Sequence, residues 1–495
     1  MNSTPSPKTR FWVYAITAII SAGLLTYALT IAFVWDEGFH LVAAQLIERG
    51  KTPYLDFCFP QTPLNAYWNA AWLHLFGSSW RVPHIPAALE ISATMFLTAQ
   101  FLLSRFPVPR WRAPAAIVAV CFVGLNSVIV QFGPIAQAYA IGMLLTVAAF
   151  RVAVAQPNRA RSALLSLGSG VLAGAAAACT LLTAPVTLVL FLWFGIRSQG
   201  LARFKNLVAF AFGVIVPFTP VIWLFAKAPR VVFFNVVEYQ ALFRRVNWPG
   251  ATSHDVDVLS AWLADAQTLL LGLLALAGVY FLMRKSNWPA TNRTQFYFAG
   301  SVAAALILYI ATAHPTFARY FVFAIPFLST LAVAGFYWVA SSLGDANRPL
   351  LPTTFLVLIL ALGCSRGLFE DRDSTTWHDY EKIAEKVQQV TPKNGLIYAD
   401  ELVYFLLKIS PPPGMEFSYS HKLELPPAEE KLYHVVSEKE LAAEVKAGKF
   451  ATVQSCNDDQ ISEMHLDQLF AKKEDIEDCT VYWDEIPAKP SLARK

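Results

Sequence analysis

Apolar runs long enough to cross a lipid bilayer recur through residues 1–369 of this chain, and they leave few choices of fold. A span takes about 20 apolar residues. Such runs read at 11–34, 83–104, 114–131, 134–152, 162–179, 181–196, 206–226, 266–283, 295–312, 320–341 and 351–366. Lipid offers backbone N–H and C=O groups no water, so these segments are expected to be helices. The expected fold is mainly α, a polytopic transmembrane bundle of about eleven spans. The short pair at 162–196 reads as a hairpin or as one helix, which leaves the count open by about two. Composition agrees: 15% of residues are charged, against about 25% in soluble domains. Lys8 and Arg10 precede a stretch, 11–34, that is longer than a signal-peptide core, so it is expected to stay as a span.

Charge divides the chain. Residues 1–369 hold 24 Lys and Arg against 10 Asp and Glu, whereas 370–495 hold 15 against 25. Two domains are expected: a membrane domain over 1–369 and a small soluble α/β domain over 370–495. In the second, 377–390 and 437–447 read as helices and 401–409 as a short helix. LIYAD (396–400), ATVQSC (451–456) and CTVYW (479–483) read as strands. It shows no catalytic constellation.

Loop charge sets the orientation. Fifteen of the 24 basic residues fall in alternate, mostly short loops, among them Arg105, Arg110, Arg112, Arg197, Arg203, Lys205 and Arg348. By the positive-inside rule these loops face the cytoplasm. The N-terminus is then cytoplasmic and the C-terminal domain extracytoplasmic, as in a bacterial-type inner membrane. Charge spread over short loops, not gathered in a patch, speaks against nucleic acid as a partner. Asp36, Glu37, Glu48, Asp56, Glu90, Glu238, Asp255, Asp257 and Asp265 fall toward the outer side, and Asp345 inside. Acids contribute little to orientation, so this one-sidedness points to chemistry on the outer face.

Two outer loops are large, 35–82 and 227–265, and both read as partly helical. Within the first, LNAYWNAAWLHLF (64–76) suits an amphipathic helix at headgroup level. The loop opens on Trp35-Asp36-Glu37, two carboxylates where the first span emerges, which ordinary interfacial charge would also explain. It continues through Gly38-Phe39-His40, Gly50-Lys51-Thr52-Pro53-Tyr54-Leu55-Asp56-Phe57 and Gln61-Thr62-Pro63-Leu64 to Phe76-Gly77 and Arg81.

These residues resemble the GT-C superfamily of membrane glycosyltransferases, in the branch of the protein O-mannosyltransferases and the lipid A aminoarabinose transferase. The shared features are an Asp-Glu pair after the first span, a G-x-x-P-Y-x-D stretch and a Pro-Leu that opens the next helix. Gly170-Val171-Leu172-Ala173-Gly174, and Arg319-Tyr320-Phe321 through Ile325-Pro326-Phe327, resemble later parts of the pattern. The resemblance covers roughly 11–370. Many relatives carry a Lys after the glycine-rich fifth span. Here Thr183-Ala184-Pro185 stands there, and a phosphate contact from that Lys would be missing.

The resemblance implies inverting transfer of a sugar from a polyprenyl-phosphate donor to an acceptor hydroxyl on a lipid, glycan or protein, among membrane lipids. A hydroxyl is a weak nucleophile, so a carboxylate must take its proton. Asp36 matches the family's catalytic Asp and is the implied general base. Glu37 orients the acceptor or holds the loop. Asp56 meets sugar hydroxyls or a divalent cation, or caps the loop; no cofactor is otherwise implied. A phosphate leaving group calls for Arg or Lys at the interface. Arg319 and Arg81 are candidates, each open to the plainer role of anchoring a helix to headgroups, with His314 and Tyr320 beside Arg319 in sequence. Arg244 and Arg245 meet phosphate, lipid or solvent. Glu90, about 10 Å into the second span by helical rise, serves the donor site or an interhelical hydrogen bond.

Two rivals remain. A transporter or flippase of lipid-linked sugars would need polar residues through the span centres, where this chain is nearly charge-free. A non-catalytic glycolipid-binding relative would bind donor without turnover. No phosphate-binding glycine loop, HExxH or paired CxxC occurs. Cys456 and Cys479 would bond in an oxidising compartment if their geometry allows it, which spacing does not settle.

Overall fold

The computed structural model describes residues 7–34, 36–155, 162–244, 248, 250–284, 288–344 and 347–486. Trp35, Arg245, Asp345 and the Lys8 side chain lie outside them. Among the described residues, eight helices are long and apolar enough to cross a membrane: Arg10–Thr30, Arg81–Arg105, Ser162–Cys179, Gly200–Lys227, Ala266–Met283, Ala290–Ala311, Ala318–Leu343 and Leu350–Glu370. Tyr139–Ala153 and Leu181–Arg197 are apolar but shorter. The chain is a mainly α, multi-pass membrane protein.

Two apolar runs do not become the helices their hydropathy suggests. The run 114–131 is split into Arg112–Gly124 and Ser127–Phe132, where the Asn126 side chain caps the second by accepting the Ile129 N–H at 3.1 Å. The run 134–152 turns helical only at Tyr139. Residues 133–138 are irregular yet mostly buried. Irregular backbone at such depth persists where protein groups satisfy it, and side chains from the first loop do so here. Asn65 and Asn69 donate to the Ala136 carbonyl at 3.1 and 2.7 Å, and Glu37 accepts the Ala136 N–H at 2.9 Å. The helix Leu64–Phe76 therefore turns its asparagines inward and leaves Leu75 and Phe76 exposed.

Ala318–Leu343 runs through the middle of the bundle, with 78% of its apolar window buried, whereas Gly200–Lys227 sits at the rim with 17%. Glycines set the closest helix contacts. A Cβ on Gly170 or Gly174 would lie 2.3 Å from the carbonyl oxygen of Phe210 or Val214 on the rim helix. The Gly170–Gly174 run is thus a packing seam of the small-xxx-small kind.

Beyond Glu370 the chain becomes a small α/β unit. The helix Trp377–Val390 opens with a capping box from Thr376 and Asp379 and buries Trp377, Ile383, Ala384 and Val387. The strands are β1 (Ile397–Tyr398), β2 (Thr452–Ser455), β3 (Phe470–Ile476) and β4 (Cys479–Glu485), in the order β1-β2-β4-β3. β1 and β2 are parallel and the other pairs antiparallel. β3 is not among the expected strands. Its Lys, Glu and Asp residues show no apolar alternation, because it is an exposed edge strand whose only sheet partner is β4. A disulfide joins Cys456 to Cys479.

This unit docks on the first loop. Val34 N–H donates to the Thr375 carbonyl at 2.9 Å, and Arg49 donates to the Lys408 carbonyl at 2.7 Å. Gly38 leaves room for the helix Glu401–Leu407, since a Cβ there would lie 3.0 Å from Glu401 Cβ.

Candidate active site

The first span ends at Thr30, and the chain turns through Asp36 and Glu37 before the helix Gly38–Glu48 begins. Glu37 points inward and is fully buried. It accepts the Ala136 N–H, a His84 Nε2 contact and the Trp377 indole N–H, each at 2.9 Å. His84 Nδ1 faces the Ala28 carbonyl at 3.0 Å. Both imidazole nitrogens thus face acceptors, and the ring is fixed between the Ala28 carbonyl and Glu37. This carboxylate ties together the end of the first span, the second span, residues 133–138 and the C-terminal unit. Burial of such a group is tolerated because its hydrogen bonds are made.

Asp36 faces the other way, into a cavity of about 930 Å³. Its Oδ2 accepts from Arg319 Nη2, and its Oδ1 accepts the Tyr419 hydroxyl at 2.9 Å. Rings hold the Arg319 guanidinium: its carbon lies 4.3 Å from the Phe317 centroid and 5.8 Å from that of Tyr320. Arg319 Nε is a donor with no acceptor among the described residues. Arg244 stands beside it, donating to the Tyr320 hydroxyl and to Gln240 Oε1 at 3.2 Å. It ends the wide helical turn Phe234–Phe243, where Asn235 accepts the Phe59 N–H at 2.8 Å and so pins the second large loop to the first. His314 pairs through Nδ1 with Asp255, whose other oxygen accepts the Thr316 N–H at 2.7 Å. The C-terminal unit roofs the cavity with Phe417, Tyr419 and Lys422, on a segment steadied by Glu401, which accepts the Ser418 N–H at 2.7 Å. Burial, and then the charge of Asp36, push the Tyr419 hydroxyl well above its ordinary range, so it stays a donor.

Of the candidates read from sequence, Asp36, Arg244, His314, Arg319 and Tyr320 line this one cavity, and Glu37, Asp56, Arg81 and Glu90 do not. Asp56 is exposed and caps its own turn, accepting the Thr52 N–H at 2.7 Å. Arg81 lies over the Trp80 ring at 4.1 Å and reaches the Leu29 carbonyl at 3.2 Å and Glu381 at 3.4 Å. Glu90 accepts the Trp68 indole N–H at 2.9 Å, a contact between two helices. Sequence reading missed Tyr419, Lys422 and His40. Tyr419 is 383 positions from the carboxylate it touches, and no local pattern marks it.

The cavity does not suit a hard divalent cation, which takes several oxygen ligands. Asp36 is the one carboxylate lining it among the described residues, and both its oxygens are engaged. Asp400, Cys456 and Cys479 bring three ligand-type atoms within 4.8 Å elsewhere, but the two sulfurs are bonded to each other.

No family model matches the chain, and no curated protein matches it in sequence. Solved structures do match. ArnT from Cupriavidus metallidurans, bound to undecaprenyl phosphate, superposes with a TM-score of 0.67 at 14% identity, covering 95% of this chain and 97% of that one. Its apo form gives 0.66 at 14% identity, over 96% and 98%. An Archaeoglobus fulgidus oligosaccharyltransferase, at a TM-score of 0.47 and 12% identity over 90% and 69%, is too distant to bear on the site. Coverage near the full length of both chains takes in the C-terminal unit as well as the helices. The chain has the GT-C fold, in the form seen in ArnT.

Proposed function

We propose that this chain is a glycosyltransferase that moves a sugar from a polyprenyl-phosphate donor to an acceptor hydroxyl. It works at the face carrying the first loop, the extracytoplasmic face of a bacterial-type inner membrane. The observation that carries this reading is one carboxylate facing a bed of guanidinium groups inside a single large cavity: Asp36 against Arg319, with Arg244 alongside. ArnT, which shares the fold, binds undecaprenyl phosphate, and this supports a polyprenyl phosphate as the carrier here.

Asp36 takes the acceptor's hydroxyl proton as the acceptor oxygen attacks the anomeric carbon from the side opposite the phosphate. The bond from that carbon to the phosphate oxygen breaks, and its electron pair stays on the phosphate. Arg244 and Arg319 stabilise the charge that develops there, in a site walled by aromatic rings where such contacts gain strength. Displacement from the opposite side inverts the anomeric configuration. Arg244 supplies the phosphate contact that Thr183-Ala184-Pro185 lacks. Tyr419 occupies the Asp36 oxygen that an acceptor hydroxyl must reach, so it yields that oxygen when acceptor binds. The residues lining the cavity, with one carboxylate among them, do not favour a divalent cation.

The test uses the purified full chain in lipid nanodiscs with labelled undecaprenyl-phosphate sugars and envelope lipids or glycans as acceptors. Asp36→Asn should lower transfer by about 10²–10⁴-fold, the usual share of a general base, while undecaprenyl phosphate binding and the unfolding midpoint stay put. Near-normal turnover of folded Asp36→Asn would remove the role given to Asp36.

A further inference from the structure

The cysteine pair of the C-terminal unit lies against a carboxyl group that sugar transfer does not use. Cys456 follows β2, Cys479 opens β4, and the bond between them links these neighbouring strands. Asp400, at the start of the helix Glu401–Leu407, places Oδ2 3.1 Å from Cys456 Sγ. Gln454 Nε2 donates to both atoms at 3.0 Å, and the Tyr380 hydroxyl lies 3.4 Å from Oδ2 and 3.6 Å from Sγ. A sulfur in a disulfide has no proton to give, so the 3.1 Å contact is a hydrogen bond only with the proton on the carboxyl. Burial raises the Asp400 carboxyl above its ordinary value and favours that form. The ionisable groups around it are Tyr380, Tyr398, Glu401 and Tyr404, and among the described residues no cation pairs with it.

Access and position supply the second observation. Cys479 is 3% exposed, whereas Cys456 is half-buried, so a thiol reagent meets Cys456 first. The carboxyl beside it is one residue from the roof of the cavity. Glu401 accepts the Ser418 N–H at 2.7 Å, and Tyr419 follows with its hydroxyl on Asp36.

We propose that Cys456 and Cys479 form an exchange site for a dithiol or disulfide reagent, that Asp400 carries the proton of Cys456, and that opening the bond loosens the roof segment Ser418–Lys422. In reduction, a thiolate of the dithiol attacks Cys456 Sγ; the bond to Cys479 breaks and its electron pair goes to Cys479. The reagent's second thiolate attacks its own bonded sulfur, and Cys456 departs with the Asp400 proton. The cysteines gain two electrons, the dithiol becomes a disulfide, and Cys479 and Asp400 regain protons from water. In closure Asp400 takes the Cys456 proton, and the thiolate, which is the nucleophilic form, attacks the oxidant's disulfide.

The experiment reduces the purified full chain in nanodiscs with dithiothreitol, removes the reductant, and follows closure by oxidised glutathione between pH 6 and pH 9. Alkylation and mass spectrometry count the free thiols of Cys456 and Cys479. With Asp400 as the base, the wild-type rate should change by less than about tenfold from pH 6 to pH 8. In Asp400→Asn it should climb about tenfold per pH unit toward the ordinary thiol value near 8.5. The variant should be about 10²-fold slower than wild type at pH 6 and level with it at pH 9. A bond that dithiothreitol does not open in the folded chain overturns the exchange site. A wild-type rate that itself climbs tenfold per unit overturns the role of Asp400 whether or not the variant folds, as do equal rates at pH 6. Hydrogen exchange at the Ser418 amide should quicken about tenfold on reduction, the worth of one net hydrogen bond; an unchanged rate overturns the link to the roof. No donor or acceptor is used, so none of these failures touches the transferase reading.

Discussion

Asp36 and Glu37 are neighbours with opposite environments, and substitutions at the two should separate cleanly. Asp36 lies at the cavity with its carboxylate on Arg319 and Tyr419, so Asp36→Asn changes chemistry with little effect on stability. Glu37 is buried among His84, Ala136 and Trp377. Glu37→Ala leaves His84 Nε2 and two N–H donors without a partner, and should cost about 3–5 kcal/mol. Thermal unfolding of both variants, followed beside transfer activity, checks the division. Glu416 offers a test by pH. Burial raises it from 4.5 to about 7, and it accepts the Gly414 N–H at 2.8 Å. A carboxyl with a raised folded-state value is uncharged at low pH, where it costs nothing. Its penalty enters as pH climbs from about 4.5 through about 7 and is complete above that. Glu416→Gln should therefore stabilise the C-terminal unit at pH 8, by on the order of 3 kcal/mol, and do little at pH 4.5. A gain of equal size at both pH values would contradict the assignment.

Among elements, the helix seams depend on glycines that hydropathy alone does not single out. Gly174→Leu drives a side chain into the Val214 carbonyl and should lower the unfolding midpoint or abolish folding, whereas Gly272→Leu, with nothing within 4 Å of its Cβ position, should be close to neutral. Size-exclusion profiles and melts of the two variants give the comparison. The disulfide acts at the same scale. It closes a 23-residue separation between the end of β2 and the start of β4, and its loss in Cys456→Ser should cost about 3 kcal/mol by loop-closure entropy. The elements themselves were legible where a single period runs through them. The helix at 377–390, with its capping box, and the strands at 396–400, 451–456 and 479–483 follow from local pattern. β3 does not, because an exposed edge strand places no demand on apolar alternation. The irregular segment 133–138 does not either, because its backbone partners come from Glu37, Asn65 and Asn69, about 70 to 100 positions away.

In the whole molecule, the C-terminal unit completes the wall of the cavity. Trp377 stacks on Trp80 at 5.1 Å and donates to Glu37, while Tyr419 donates to Asp36. Tyr419→Phe should leave the unfolding midpoint nearly unchanged and alter acceptor KM more than donor affinity, which steady-state kinetics with each substrate varied would reveal. Hydropathy and charge are properties of residues taken in order, so the sequence by itself determined the membrane-spanning character, the mainly α class and the acidic balance of the C-terminal residues. The Asp-Glu pair in the first loop could be singled out there too. Which of the pair faces the cavity was decided only by tertiary structure, because side-chain direction in an irregular turn depends on the partners that close around it. Arg244, Arg319 and Tyr419 reach Asp36 and its surroundings from three separate segments, and hydrogen bonds across hundreds of positions leave no periodicity to read. Asp36 could be named from one loop; its surroundings exist only once the second large loop, a central helix and the C-terminal unit have packed against it.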